Sequence, residues 1–242
     1  MITRKVQIIV ALFSILFVLT ALSIVGPCSK ANGENAKTET PITASWDNTY
    51  SSKYVFWGIQ FSNKDVYQSL ITINKGHSTL FVFSNRDFET STWNEHDVFF
   101  DYTTPINKMV NMSAGYNYYN CRLGDWESYN EIYIGASFNT FLSPAISYHN
   151  IFGFENGNYF EASVSKSFQI NDKITLLSSG KLGYNDKAFR TATDFSHTEW
   201  GISAPITYLP HFIISPFAKY SFALADDLKN VFYGGATASY KF

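Results

Sequence analysis

Residues 231–242 read VFYGGATASYKF, and the fold turns on how they are read. Side chains of an extended strand alternate between two faces. Phe232, Gly234, Ala236, Ala238, Tyr240 and Phe242 then share one face, apolar with aromatics near both ends. Val231, Tyr233, Gly235, Thr237, Ser239 and Lys241 share the other, which is mostly small or polar. Such a strand needs partners, and the chain upstream supplies them. From Ile42 onward the pattern is strand, turn, strand, with no amphipathic helical period. About twelve segments fit the period-two template. They lie near 43–58, 66–75, 78–86, 95–104, 108–119, 128–139, 143–151, 158–170, 174–184, 196–207, 211–223 and 231–242.

The same division of faces recurs. Val110, Met112, Ala114, Tyr116 and Tyr118 oppose Asn111, Ser113, Gly115 and Asn117. Ile132, Ile134, Ala136 and Phe138 oppose Glu131, Tyr133, Gly135 and Ser137. Phe212, Ile214, Pro216, Ala218, Tyr220 and Phe222 oppose Ser215, Phe217, Lys219 and Ser221. Alternation alone does not say which face is inside, since a soluble barrel buries its apolar face. The strands are longer than the roughly 5–6 residues of soluble sheets and match the roughly 9–11 of a tilted membrane span. Tyr and Phe collect near strand ends, as an interfacial girdle requires. The connections are expected to alternate strictly, short at one end and long at the other, with Ile59–Asp65 the first of the long set. The expected fold is all-β: a transmembrane antiparallel up-and-down barrel over 42–242.

Lys166 tests that register, because it falls on the apolar face with Phe160, Ala162, Val164, Phe168 and Ile170. A lysine facing lipid at mid-bilayer costs roughly 2–4 kcal/mol, and about 0–1 near the interface. Either its amine snorkels to the headgroups or a bulge turns it inward.

Composition agrees. Aromatics make up 18% and charged residues 16% of 242 residues, yet the mean hydropathy is −0.10, which excludes a membrane protein of many apolar helices. Arg4 and Lys5, the apolar run Val6–Val25 and the small residues Ser29 and Ala31 read as a secretory signal peptide over 1–31, cut after Ala31. The run is also long enough to span a bilayer uncut. Pro27 beside Cys28 disfavours a lipoprotein site. Residues 32–41 read as a flexible polar lead-in. Removal of Arg4, Lys5 and Lys30 leaves 15 bases against 20 acids, a net of −5, which argues against a nucleic-acid partner. Cys121 is then alone and without an intrachain disulfide partner.

The aromatic carboxy-terminus resembles the closing strand of bacterial outer-membrane barrels. That resemblance implies an outer-membrane location, contact with membrane lipids and an assembly signal in Tyr240 and Phe242 read by the barrel-assembly machinery. Ser52-Lys53-Tyr54-Val55-Phe56-Trp57-Gly58-Ile59, with Gln68 after it, resembles the opening motif Ser-x-Tyr-x-x-Arg-Gly of the TorF or Gcw_chp family of outer-membrane barrels. Glu131–Gly135 and Ser163–Ser167 are similar to later blocks of that family. The resemblance implies a porin-like protein. Trp57 stands where the family has Arg, so a lumen-facing cation is not implied there.

On this register Asp47, Lys53, Trp57, Asp97, Asp101, Glu131, Glu161, Lys181, Glu199, Lys219 and Lys241 face the lumen, with Phe99, Tyr133 and Phe217 taking up room. Acids in a narrow pore give a slight cation preference, whereas a network of buried pairs fills it. Interior width grows with strand number, and twelve lies between a filled barrel and an open one. The expectation is a narrow channel for small hydrophilic solutes. A non-conducting barrel acting through loop residues Trp93, Trp126, Phe189 and Phe195 is the alternative, and a lipid hydrolase the third reading. Membrane lipid hydrolases pair a His and a Ser two residues apart on one strand face. None of the five His is read as having that spacing to a Ser: His77 and His197 have Ser neighbours at one residue only, on the opposite face, and His149-Asn150 is notable by composition only. Asp97 with Asp101, and His197 with Glu199, share faces and are expected to pair structurally. No catalytic residue, cofactor or metal site is expected, and Asp226-Asp227 reads as a solvated loop tip.

Overall fold

The computed structural model describes residues 40–121, 128–153 and 156–242. The signal peptide with Cys28, the lead-in as far as residue 39, and Trp126 lie outside the described residues. The strands are β1 (Ile42–Ser51), β2 (Tyr54–Phe56), β3 (Ile59–Ser62), β4 (Val66–Lys75), β5 (Ser78–Asp87), β6 (Thr92–Pro105), β7 (Val110–Tyr119) and β8 (Tyr129–Phe138). There follow β9 (Ala145–Gly153), β10 (Gly157–Gln169), β11 (Thr175–Asp186), β12 (Thr193–Ser203), β13 (Ile206–Leu209), β14 (Phe212–Ala223) and β15 (Val231–Lys241).

Neighbours in sequence pair antiparallel from β4 to β12, β1 joins β4 to β15, and β12 pairs with β14 to close the ring. β12 and β13 are two lengths of one stave, and both pair with β14. Their break falls at Ala204-Pro205, where proline has no N–H to give the ladder. The 13-stranded sheet is therefore a closed barrel of twelve staves. First and last strands meet as the terminal stretch foretells, with Trp46 opposite Tyr240 and the Phe242 N–H donating to the Ala44 carbonyl at 2.9 Å.

The apolar faces point outward. Ile134 is 57% exposed and its neighbour Glu131 is 0% exposed, on one strand. Phe222, Trp200 and Ile146 are likewise exposed, whereas Ser113 and Lys219 lie on the inner wall. A tyrosine girdle marks one rim: Tyr116 donates to Asn130 at 2.6 Å, and Tyr148 to Asn158 at 2.7 Å. Lys166 keeps its outward register without a bulge, and its ammonium lies 3.9 Å from the centroid of Phe141 in the β8–β9 turn. Of the two possibilities for Lys166, the amine reaches the rim.

Two expectations need correction. Loop lengths do not sort strictly. At the long-loop end, the β5–β6 connection covers only 88–91 and the β9–β10 connection only 154–156, while the other end holds a turn over 139–144. The strands on the long-loop side run further than the period-two pattern suggests, as β6 does at 14 residues. The first strand also does not reach residue 58. It stops at Ser51, where the Ser52 N–H donates to the Gly234 carbonyl at 2.9 Å and the Ser52 hydroxyl accepts from the Gly234 N–H at 3.1 Å. The segment that follows leaves the wall and folds into the lumen.

Candidate functional site

β2 and β3 form a separate two-stranded hairpin, with Phe56 opposite Ile59. Its two-residue turn is Trp57-Gly58, at φ 49° and 79°. Positive φ at both central residues defines the hairpin turn whose twist matches its strands. Glycine is required at the second position, since a Cβ there would sit 2.6 Å from the His197 ring. At Trp57 positive φ is a strained conformation for a bulky residue, costing on the order of 1–3 kcal/mol. Packing offsets it. The indole stacks on Tyr159 at 4.0 Å and 11°, stacks on Phe56 at 4.7 Å, and meets His149 edge-on at 5.2 Å. The barrel's buried cluster, which includes Tyr119, Tyr129, Ile151 and Tyr159, therefore sits inside the lumen, with Phe56, Trp57, Phe99 and Phe189 packed against it.

Polar wall residues hold this cluster. Glu131 accepts from Asn117 at 2.8 Å, from the Tyr119 hydroxyl at 2.9 Å and from His149 Nδ1 at 2.8 Å. Asp97 accepts the Asn120 N–H at 3.0 Å and is buried with Glu95 and Cys121, whose ligand atoms all lie within 4.8 Å of one another. Tyr54 of the hairpin hydrogen-bonds to Glu95, and Cys121 Sγ donates to Glu95 at 3.2 Å. Burial, then the nearby Glu95 carboxylate, pushes the Cys121 thiol far above its ordinary range. Through the Tyr54–Glu95 hydrogen bond this buried set docks the hairpin against the wall.

Below the hairpin, inward charges alternate in sign across four staves. Lys181 Nζ lies 3.2 Å from Glu161, and Lys219 Nζ lies 3.3 Å from Glu199, which also accepts from Tyr233 at 2.5 Å. Asp101 accepts from Tyr133 and, at 2.8 Å, from Thr103. Beside the hairpin lies a cavity of about 360 Å³, lined by Lys53, Gln68, Phe217, Lys219, Tyr233 and Thr237 among others. Lys53 Nζ donates to the Phe232 carbonyl at 3.1 Å. Asp47, opposite Leu70 and Ser239, points to the same interior.

No family model and no curated protein sequence matches the chain. Solved structures do. A KdgM porin aligns at TM-score 0.58 and 12% identity over 82% of this chain and 99% of that one. The NanC porin aligns at 0.54 and 13%, over 82% and 98% respectively. An outer membrane channel from Pseudomonas putida F1 aligns at 0.50 and 9%, over 89% and 100%. The architecture is that of outer-membrane porin-like barrels, and the likeness is one of fold.

The sequence-predicted lumen residues separate into three settings. Asp97 and Glu131 face inward but are buried against the hairpin and its cluster. Asp101, Glu161, Lys181, Glu199 and Lys219 form pairs on the wall beneath it. Asp47, Lys53 and the exposed Lys241 complete the interior, toward its ends. Trp57 lies in the lumen as part of the hairpin and not of a stave. Of the aromatic residues expected as loop contacts, Trp93 and Phe195 remain exposed, at 44% and 54%, and Phe189 packs against the buried cluster. Phe189 packs on Trp57 at 5.5 Å, Trp93 on Tyr67 at 5.9 Å and Phe195 on Tyr184 at 5.2 Å. Glu95 is not among the sequence-predicted residues, although it shares the period-two face of Asp97 and Asp101.

The expectation that no His stands two residues from a Ser is wrong: Ser147 and His149 lie two residues apart on one face of β9. His149 Nε2 lies 2.8 Å from Ser147 Oγ.

At the outer mouth the supposed solvated tip is tied down. Arg190, 6% exposed, donates from Nε to Asp227 at 2.8 Å and from Nη1 to Asp194 at 2.9 Å, joining the β11–β12 and β14–β15 loops. The guanidinium holds the Asp227 carboxyl below its ordinary range. A depressed pKa means the clasp is complete above the usual carboxylate pKa of about 4 and is lost as pH falls through the depressed value. Limited proteolysis within 187–192 is expected to accelerate in that acid window, and in Arg190→Ala to be fast already at neutral pH. Equal rates for the two proteins at neutral pH contradict the clasp.

Proposed function

We propose that the protein is an outer-membrane channel that passes small hydrophilic solutes through a lumen narrowed by its own β2–β3 hairpin. The observation that carries this reading is the hairpin itself. It fills part of a twelve-stave lumen and leaves a polar cavity of about 360 Å³ beside it. An interior of this size admits small solutes and excludes large ones. The fold neighbours are consistent with this, and the KdgM porin has been solved in complex with disordered oligogalacturonate. Selectivity on this reading is weaker than a ring of free acids would give. Asp97 and Glu131 are buried away from the cavity, while Glu161 and Glu199 are matched by Lys181 and Lys219. Asp47, Lys53 and Asp101 are the charges left to bias the path.

The same reading includes removal of residues 1–31 on export, and recognition of Tyr240 and Phe242 by the barrel-assembly machinery. It includes membership of the TorF-type family, whose opening motif falls on the hairpin, with Trp57 in the arginine position. The loop-contact alternative loses Phe189, which packs on Trp57 inside the barrel, while Trp93 and Phe195 stay exposed on β6 and β12. Swelling of proteoliposomes in graded neutral solutes tests the proposal. Entry of small sugars with exclusion of larger oligosaccharides is the expected result. No swelling above that of protein-free vesicles, with folded protein in the bilayer, contradicts it.

A further inference from the structure

We propose that Ser147, His149 and Glu131 form a nucleophilic site inside the lumen that hydrolyses short-chain esters of hydrophilic solutes. Ser147 and His149 both point inward because they are two residues apart on β9. Glu131 comes from β8, where its direct partner is Ile151, so it reaches His149 diagonally. The atoms fall in the order such chemistry needs. His149 Nε2 lies 2.8 Å from Ser147 Oγ, and His149 Nδ1 lies 2.8 Å from Glu131 Oε1. A nucleophile is activated by a base that a third group orients. Glu131, fully buried, is itself fixed by Asn117 and Tyr119, and the imidazole is held between Tyr133, stacked at 5.4 Å, and Trp57.

The wall on one side of the nucleophile is built of small side chains. On the side of Ser147 away from the hairpin, the inward residues Gly135, Ser137, Ala145 and Ser163 are all small. A Cβ at Gly135 would lie 2.9 Å from Ser113 Oγ and 3.5 Å from Ser147 Cβ. Ser113 thus brings a hydroxyl donor toward the nucleophile across a glycine. Glu161, the register partner of Ser147 on β10, is matched by Lys181 at 3.2 Å, so that pair brings no net charge to the site. A polar, narrow lumen favours a hydrophilic alcohol portion, and the small-residue wall favours a short acyl portion.

The step balances without a further reagent. The Ser147 hydroxyl proton passes to His149 Nε2 as Oγ bonds to the ester carbonyl carbon, and the carbonyl electron pair moves to oxygen. Its return breaks the bond to the alkoxy oxygen, which takes the proton from His149 and leaves as the alcohol. Water, giving a proton to His149, then attacks the acyl-Ser147 carbonyl. The acyl–Oγ bond breaks, the carboxylic acid departs and the Ser147 hydroxyl is restored.

The site requires that solutes reach the lumen, and to that extent it rests on the channel reading. The test uses the full barrel in detergent, with folding confirmed by heat-modifiable electrophoretic mobility. Diisopropyl fluorophosphate is expected to give one adduct, mapped by mass spectrometry to Ser147, and none in Ser147→Ala. Turnover of p-nitrophenyl acetate is expected to fall roughly 100-fold or more in that variant. Ser147→Ala removes one hydroxyl oxygen, and a folded variant is verified by the same mobility shift. A folded wild-type barrel without an adduct overturns the site, as does turnover that survives unchanged in Ser147→Ala. Conductance on the same preparation is read separately: a silent barrel that labels keeps the serine site and removes the pore, and a conducting barrel that does not label does the reverse.

Discussion

Replacing Trp57 by glycine is expected to raise single-channel conductance roughly twofold or more, because the indole that packs the hairpin against Tyr159 disappears and opens the lumen there while the turn persists. Glycine adopts the positive φ of this position without strain, so Trp57→Gly removes the indole and relieves the backbone together. The variant separates bulk from hairpin geometry. Trp57→Ala removes the same ring but keeps a Cβ at φ 49°, and is expected to loosen the turn and add current noise. Loss of the stacks on Tyr159 and Phe56 costs about 0.5–1.5 kcal/mol per pair beyond the buried area. The barrel ladder is untouched, so heat-modifiable mobility is expected to remain. Unchanged conductance in Trp57→Gly would place the constriction elsewhere.

The second large effect concerns orientation. Ile134→Arg places a charge on the outward face near the middle of β8, where lipid exposure costs about 2–4 kcal/mol. Ser137→Arg, three residues on, lies on the inward face among small residues and is expected to cost under about 1 kcal/mol, as a guanidinium in a wet lumen keeps its hydration. Urea titration of each variant refolded into lipid vesicles measures both. If Ser137→Arg is the costly change and Ile134→Arg the neutral one, the faces are reversed.

Most of the wall was legible from residue order alone. Faces such as Ile132, Ile134 and Ala136 against Glu131, Tyr133 and Gly135 follow from period two, and the apolar rows lie where that period puts them. Closure by Val231–Lys241 was legible for the same reason. The hairpin was not, because Tyr54, Phe56 and their neighbours continue the alternation of β1 past its end. A period of two is the same for a stave and for a strand folded inside it. The available signal was Trp57-Gly58, a two-residue connection ending in glycine between aromatic strands. Loop lengths were misjudged because strands such as β6 begin earlier, with Thr92, Trp93 and Asn94 in the strand where they read as loop. The Ser147–His149 spacing stood in the sequence, but its third member did not. Glu131 joins only through the β8–β9 register, which no local pattern supplies.

The account rests on an aqueous path past an internal hairpin, and one recording tests it most directly. Purified, folded protein added to a planar bilayer is expected to give discrete current steps of small amplitude, with a reversal potential close to zero under a salt gradient because Glu161 and Glu199 are matched by Lys181 and Lys219. A bilayer that stays silent at every salt concentration and voltage, with inserted barrel confirmed, contradicts it.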